Sequence, residues 1–272
     1  NELGEIIKIR LAKQEALVNK YKQELDYVRS SILDFLPHEM RTALTGISAS
    51  SDLLLNKLEQ LDPSVVRELV GCMNLSSQRL LRLVDNFLLY SELNLISRNL
   101  QQTELLRHQK TYLSFKTIDS IVTKLDRSHN RRTNICWQAE ETFLAINPFH
   151  LAKLIEELLD NALKFSAVNT SVLVRGYRSG DYFYLTVIDR GRGMTAQQIA
   201  KIGACIQFER PIYEQQGCGL GLAIVQKLIQ IYGGKVVIDS ILERETRVNI
   251  YLPLWKSPAL SDLDKSKTSM IS

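Results

Sequence analysis

The chain has 272 residues, of which 45% are hydrophobic and 24% charged, and its formal net charge is +4. This length suggests one or two domains. The positive charges form no long run, so no nucleic-acid partner is indicated. No apolar stretch is long enough to cross a membrane, so no membrane contact is expected in this fragment.

The four cysteines form no CxxC pair and do not stand at zinc-finger spacing, which is typical of free thiols in a reducing cytoplasm. No signal peptide is visible at the amino end. Because the chain begins with Asn rather than Met, we expect a cytoplasmic fragment, from which any upstream part, such as a membrane segment, would be missing.

The first predicted elements are long helices. Apolar side chains recur with heptad spacing from Leu11 to Phe35, as in a coiled coil, and the apolar pattern continues to Leu58. A second amphipathic helix is predicted from Asp62-Pro63 to Tyr90. Two such hairpins can close a four-helix bundle, which predicts a homodimer. A hairpin that buries its apolar stripe within a monomer is the alternative.

The rest of the chain has a different pattern of polar and apolar residues. Residues 96–112 are polar and aperiodic, and they are interpreted as a linker after a helical domain of residues 1–95. From 113 to 255, short β-like runs alternate with helical stretches, which predicts an α/β sandwich domain. The tail, residues 256–272, is rich in Ser, Lys and Asp, as disordered segments are. The predicted fold class is therefore multidomain: an all-α helical hairpin followed by an α/β sandwich.

One helix of the second domain carries a polar stripe in the segment EELLDNALKF, residues 156–165. Glu157, Asn161 and Lys164 stand at positions i, i+4 and i+7, so they share one face. A carboxylate and an amide oxygen suit Mg²⁺, and an ammonium neutralises phosphate. A solvated polar face is the alternative interpretation.

Two glycine-rich segments follow. DRGRGM, residues 189–194, comes directly after a predicted strand, where an acid can accept a hydrogen bond from the amine of a base and glycines allow a tight turn. GCGLGLAIVQKL, residues 217–228, leads glycines into an apolar helix, whose start can bind an anion. It lacks the GK[ST] ending of a Walker loop, which argues against that motif. It follows the polar stretch YEQQ rather than a strand, which argues against a dinucleotide-binding fingerprint. A simple turn is the alternative for the first segment.

Taken in this order, the three segments resemble the N box and the two glycine boxes of the ATP-binding (Bergerat) fold of the GHKL superfamily. That superfamily comprises histidine kinases, gyrase-type topoisomerases, Hsp90 and MutL. ALKFS and GLGLAIVQKL are most similar to the sensor histidine kinases of two-component signalling, and QFER, residues 207–210, stands where those kinases have an F box. The resemblance implies ATP and Mg²⁺ as ligands.

The resemblance also implies roles for individual residues. Asn161 would coordinate Mg²⁺ with support from Glu157, and Lys164 would contact the phosphates. Asp189 would bind the adenine amino group. The other implied nucleotide-site residues are Gly191 and Gly193, which would shape the adenine pocket; Phe208, which would pack the ATP lid of residues 194–218; and Gly217, Gly219, Leu220 and Gly221, which would line the triphosphate.

With this domain downstream, PHEMRTAL, residues 37–44, resembles the H box of histidine kinases, often written SHELRTPL. The resemblance implies that His38 is the phosphoacceptor, since a neutral imidazole is a competent nucleophile near pH 7. Glu39 would accept a hydrogen bond from the other ring nitrogen, although adjacent helical residues point about 100° apart. Thr42 would orient the water that removes phosphate from a response regulator.

Two departures from the family pattern stand in the H box and one in the N box. Family members commonly have Pro where this chain has Ala43, whereas Pro37 precedes the histidine here, so we expect the helix to bend before His38. Glu157 stands where many relatives have Asn, and where the ATP-hydrolysing branch has its general base.

These features predict an ATP-dependent histidine kinase that autophosphorylates His38. It would pass the phosphoryl group to an aspartate in the receiver domain of a response regulator, and it could also act as a phosphatase on that partner. One alternative is a degenerate, noncatalytic dimeric scaffold. The other is a GHKL ATPase that uses Glu157 to activate water.

Overall fold

The computed structural model describes residues 36–129, 135–167, 170–200 and 220–256. The predicted heptad segment and the predicted tail beyond residue 256 lie outside the described residues. The described chain divides into two compact units, with boundaries between Ser91 and Glu92, between Ile199 and Ala200, and between Ala223 and Ile224. The described residues 36–91, 200 and 220–223 form the first unit, and the others form the second. No helix among the described residues combines the length and hydropathy that a membrane crossing requires.

The first unit contains a helical hairpin. The described part of α1 spans residues 36–57 and continues into a 3-10 turn, Leu58–Gln60, and α2 spans Pro63–Ile96. Asp62 organises the start of α2, because its carboxylate accepts hydrogen bonds from the backbone N–H and the hydroxyl of Ser64 at 2.8 and 2.6 Å. Pro63 suits the first helical position, where no intrahelical donor is needed.

The two hairpin helices approach each other closely at Gly46. A Cβ atom there would lie 2.6 Å from the Ser76 hydroxyl oxygen, so a side chain at this position would require that hydroxyl to rotate away. Ala43, at the departure from the family pattern, is 2% exposed and packs in the hairpin. Many apolar side chains of the hairpin remain exposed, including Leu44, Leu53, Leu55, Leu75, Leu81 and Leu88. An exposed apolar face of this kind agrees with association of two hairpins, and the four-helix bundle itself stays a prediction.

The second unit is built on a five-stranded sheet with the order β2-β4-β5-β7-β6. Strands β2 and β4 are parallel, and every other neighbouring pair is antiparallel. Strands β1 and β3 form a separate antiparallel pair. The strands are β1 Thr111–Leu113, β2 Ile135–Ala139, β3 Thr142–Leu144, β4 Val172–Ser179, β5 Tyr182–Asp189, β6 Lys235–Ile241 and β7 Glu245–Pro253.

Helices cover one face of this sheet. The central helix is α5, Pro148–Phe165, which packs on β4, β5 and α4. Its apolar stripe is at most 2% exposed and consists of Leu151, Leu154, Ile155 and Leu158. The other helices of this unit are α3 Leu100–Arg107, α4 Phe115–His129, α6 Ala196–Ala200 and α7 Leu220–Ile231. The predicted hairpin followed by an α/β sandwich is confirmed.

The segment interpreted as a linker differs from that expectation. Within residues 96–112 the structure has the helix α3 and the strand β1. Asn99 caps α3 by accepting a hydrogen bond from the backbone N–H of Gln102 at 3.2 Å, and Arg107 donates through Nε to the carbonyl of Ile231 at 2.6 Å. A helix of eight residues is too short to show a clear period and depends on such contacts. The predicted domain boundaries stay a prediction.

A polar network fixes the start of α5. Asn147 accepts hydrogen bonds from the backbone N–H groups of Phe149 and His150 at 2.8 and 3.2 Å, and its Nδ2 donates to Gln109 Oε1 at 2.6 Å. His150 Nδ1 lies 2.6 Å from Tyr232 Oη. Burial lowers the pKa of His150 and raises the pKa of Tyr232 to about 12, so both groups are neutral at pH 7. They share one hydrogen bond, whose donor is set by the imidazole tautomer.

Replacement of Asn147 by Ala should lower the free energy of unfolding of this unit by about 1–2 kcal/mol, because two helix-start donors lose their acceptor. Trp137 and Trp255, the two tryptophans of the chain, both lie in this unit, so their fluorescence in a urea titration reports on it alone. Asn99→Ala is the matched control, since it removes a single bond at the short helix α3. Equal losses in the two variants would contradict the prediction.

Candidate active site

The candidate phosphoacceptor lies on the solvent side of α1. His38 and Thr42 are both exposed, and they are one helical turn apart. The Thr42 hydroxyl donates a hydrogen bond to the backbone carbonyl of His38 at 2.9 Å. The imidazole is therefore open to an incoming phosphoryl donor, and Thr42 shares its face as predicted.

Glu39 points in a different direction. Its side chain is 5% exposed, and its Oε2 lies 2.7 Å from Nη2 of Arg79 on α2. The inward turn of Glu39 follows from the angle of about 100° between neighbouring helical residues. The structure therefore directs this carboxylate to Arg79, and its role toward the imidazole stays a prediction.

The polar stripe of α5 is present, and each of its charged members has an ion-pair partner one turn earlier. Glu157 is 5% exposed and pairs with Lys153 at 2.7 Å, and Lys164 pairs with Asp160 at 2.5 Å. Asn161 has a buried Nδ2 without a hydrogen-bond partner among the described residues. The sequence analysis did not identify Lys153 and Asp160 as partners of Glu157 and Lys164, although both pairs have the i, i+4 spacing of helical ion pairs.

This stripe can hold Mg²⁺ only as part of a larger shell. Among the described residues, no three His, Cys, Asp or Glu side chains cluster as a metal site. The carboxylate of Glu157 and the amide oxygen of Asn161 fit an ion that keeps several waters and takes phosphate oxygens as further ligands. The donor set is thus compatible with magnesium bound together with a nucleotide, and both assignments stay predictions.

Asp189 ends the central strand β5 and is 6% exposed. Its Oδ1 atom is buried and has no hydrogen-bond partner among the described residues. A buried carboxylate oxygen normally has a donor, so this one offers an acceptor to a bound molecule. The exocyclic amine of adenine is a donor of the required kind.

The two glycines after Asp189 are required by the backbone. A Cβ atom on Gly191 would lie 2.1 Å from the carbonyl oxygen of Phe165 and 2.8 Å from Asp189 Oδ1. Gly193 has φ +65°, and a Cβ atom there would lie 2.1 Å from the carbonyl oxygen of Ile241. Both positions therefore exclude any side chain, and the turn stays tight beside the buried acid.

Burial raises the pKa of Asp189 to about 7. The negative charge of Glu245 acts in the same direction, whereas a backbone hydrogen bond from Gly191 opposes it. Because the folded pKa exceeds the ordinary value of 3.8, the ionised carboxylate is disfavoured by folding. The protein therefore loses stability from this group as the pH rises from about 4 through 7.

The remaining predicted nucleotide residues divide into two groups. Leu220 and Gly221 are buried in the first turn of α7. Phe208, Gly217 and Gly219 lie outside the described residues, and the roles predicted for all five stay predictions. Sequence reasoning also missed Arg79, which stands 40 positions from Glu39 and carries no local signal for that pairing.

Comparison with protein families identifies both parts of the chain. A model of the His Kinase A (phospho-acceptor) domain matches residues 28–95, and a model of the histidine kinase-, DNA gyrase B- and HSP90-like ATPases matches residues 146–256. The predicted recognition of a histidine kinase core is confirmed by these two matches.

Among curated proteins, the chain is 30% identical over 233 residues to the sensor histidine kinase RcsC of Escherichia coli K12, which covers 84% of this chain and 23% of RcsC. It is 25% identical over 236 residues to the alginate biosynthesis sensor protein KinB of Pseudomonas aeruginosa, covering 86% of this chain and 38% of KinB. The chain thus spans well under half the length of these relatives.

Two solved structures share the fold. The histidine kinase AdeS of Acinetobacter baumannii superimposes with a TM-score of 0.55 at 16% identity, covering 80% of this chain and 98% of AdeS. Full-length ShkA in complex with AMPPNP has a TM-score of 0.53 at 23% identity, covering 84% of this chain and 46% of ShkA. These similarities concern the fold alone.

Asp189→Asn should stabilise the nucleotide-free protein at pH 8 by on the order of 3 kcal/mol, since it removes a buried charge. The gain should vanish toward pH 4, where the wild-type acid is neutral in both states. Nucleotide affinity should fall at least about tenfold, because the charged acceptor for the base amine becomes a neutral amide, whose oxygen accepts more weakly and whose NH₂ group would oppose the amine donor. Urea titrations at both pH values and calorimetric titration with ADP measure the two effects.

Asp119→Asn, at an exposed position of α4, is the control and should change neither quantity. An Asp189→Asn protein that is less stable than wild type at pH 8 would show that the buried carboxylate is satisfied within the fold.

Proposed function

The chain belongs to the two-component histidine kinases of the GHKL superfamily, and on that premise we propose that it uses ATP to phosphorylate itself on His38. The phosphoryl group would then pass to an aspartate in the receiver domain of a response regulator. The observation that carries this proposal is the exposed imidazole of His38 on a hairpin matched by the phospho-acceptor family. The Oδ1 atom of Asp189, which has no hydrogen-bond partner among the described residues, would supply the matching nucleotide contact.

The chemistry needs one nucleophile and one proton acceptor. A neutral ring nitrogen of His38 attacks the γ-phosphorus of ATP, a nitrogen–phosphorus bond forms, and the bond from phosphorus to the bridging oxygen of ADP breaks. The charge that develops on the ring is relieved when the proton of the other nitrogen moves to a base. Glu39 is the adjacent carboxylate and would serve as that base once it turns outward.

The nucleotide would be held by the second unit. Asp189 would accept a hydrogen bond from the adenine amine through Oδ1, which has no partner among the described residues. Gly191 and Gly193 would leave this part of the pocket lined by backbone alone, because neither position has room for a side chain. Asn161 and Glu157 would hold Mg²⁺, which supplies charge neutralisation on the phosphates when bound. Lys164, now paired with Asp160 at 2.5 Å, would exchange that partner for a phosphate oxygen.

Dephosphorylation of the response regulator is a further part of the proposal. The Thr42 hydroxyl donates its only proton in a hydrogen bond to the His38 carbonyl. Its oxygen therefore keeps acceptor capacity for the O–H of an attacking water. The position one turn from the phosphoacceptor supports a role in orienting that water.

The two alternatives are less well supported. An ATPase that uses Glu157 as its base does not require an exposed histidine on a hairpin matched by the phospho-acceptor family, yet His38 stands there. A noncatalytic scaffold does not require an intact acceptor and nucleotide residues, yet His38, Asn161 and Asp189 are all present. The proposed partners are a second copy of the chain and a receiver domain, with no nucleic acid involved.

Incubation with γ-labelled ATP should attach acid-labile, base-stable label to the wild-type chain, and His38→Gln should remove it because the nucleophile is absent. His108→Gln is the matched control, since His108 is another exposed histidine at a helix end and should leave labelling intact. Asn161→Ala should also abolish labelling, through loss of the metal–nucleotide complex.

Undiminished label in His38→Gln would overturn the proposal. Steady release of ADP by that same variant would instead support the ATPase. Wild-type protein that binds ADP but acquires no label would support the scaffold.

A further inference from the structure

The ion pair between Glu39 and Arg79 joins the two helices of the hairpin beside the phosphoacceptor. Arg79 Nη2 lies 2.7 Å from Glu39 Oε2, and the two side chains are 25% and 5% exposed. The bond therefore reaches from the part-exposed surface of α2 to a nearly buried carboxylate of α1. Arg79 lies outside the H-box motif of residues 37–44, so the motif alone does not indicate this ion pair.

Burial makes this contact consequential. A carboxylate withdrawn from water is costly unless it is paired, and removal of one member of a buried pair is strongly destabilising. Arginine suits the task, since its guanidinium stays charged and offers several directed donors. Arg79 thus lowers the free energy of the inward position of Glu39 relative to an outward one.

The same contact keeps Glu39 away from the reacting ring. His38 is exposed, whereas the adjacent Glu39 is directed into the hairpin. To take a proton from the imidazole, the carboxylate must leave the guanidinium and rotate toward solvent. The Nε atom of Arg79 is buried without a hydrogen-bond partner among the described residues, so the pair uses the guanidinium incompletely.

We propose that Arg79 is a positioning residue that holds Glu39 in a retracted position, and that release of this ion pair limits phosphoryl transfer to His38. The inference rests on the proposed function, because it assumes that Glu39 serves the imidazole. It adds a residue from the second hairpin helix to the reaction, and it makes the separation of the two helices at this level a control on the rate.

The test compares Arg79→Gln and Arg79→Lys with wild type in the full chain. Arg79→Gln keeps length and a hydrogen-bond donor but removes the charge, and it should raise the initial rate of label incorporation from γ-labelled ATP about fivefold by freeing Glu39. Arg79→Lys retains the charge and the fold, and its rate should lie between the two. Arg67→Gln, at an exposed position of the same helix, is the matched charge control and should leave the rate unchanged.

Two further measurements separate positioning from a general effect on folding. In a Glu39→Gln background, Arg79→Gln should have no effect on the rate, because there is no carboxylate to release. Phosphoramidate, a small phosphoryl donor that needs no nucleotide site, should label His38 faster in Arg79→Gln as well. The phosphoramidate experiment stays informative even if labelling from ATP fails. Failure of labelling from ATP would count against the proposed function, but not against the role of Arg79.

An unchanged or slower rate in both Arg79 variants, with helical circular dichroism retained, would overturn the proposal. The same holds if the Arg79→Gln acceleration persists in the Glu39→Gln background. Should Arg79→Gln fail to fold, an Arg79→Lys rate equal to or below wild type with both donors would be decisive against it.

Discussion

The buried carboxylate of Asp189 is the constraint on which the proposed nucleotide site depends. It stands at the end of β5, the central strand, whose neighbours β4 and β7 fix its position by antiparallel pairing. The fold supplies no donor among the described residues for Oδ1 and raises the pKa of the acid to about 7. This unfavourable arrangement persists because the sheet and helix around it are stable, and a ligand with an amine donor relieves it. A binding site of this kind lowers the stability of the ligand-free protein and raises its selectivity for a ligand with a matching donor.

The three buried carboxylates of the proposed machinery differ in how the fold treats them. Glu39 is paired with Arg79 and Glu157 with Lys153, at 2.7 Å in each case, whereas Asp189 Oδ1 is left open. A paired carboxylate is fixed in place and must exchange partners before it can act, whereas an open one is ready to receive a ligand. Under the proposed mechanism, Glu39 and Glu157 would therefore both have to leave their present partners before they act on the imidazole or on Mg²⁺.

The sequence was sufficient wherever structure follows from local pattern. Helix α5 follows from such a pattern, because Asn147 and Pro148 are strong start signals and an unbroken apolar stripe follows them. The motif also located Asp189 and the glycines behind it. Helix α3 was missed because Arg107 and Ile231, which stabilise it, are 124 positions apart. The Arg79–Glu39 pair was missed for the same reason, since only the folded hairpin brings its members together.

The helix that leads from the predicted triphosphate loop is fixed at its far end. Gly233, with φ +68°, and Gly234 close α7 with hydrogen bonds to Gln230 and Ile229 in a Schellman arrangement. Arg107 adds a charged donor to the Ile231 carbonyl, where the helix dipole favours a cation. The helix side chains from Ile224 to Ile229 that face inward are at most 2% exposed. The packing and the contacts at the carboxyl end therefore fix the axis of α7 from Ile224 onward. If the start of this helix binds phosphate, as the sequence motif predicts, its N–H groups would follow that axis, and the entropic cost of binding would be lower.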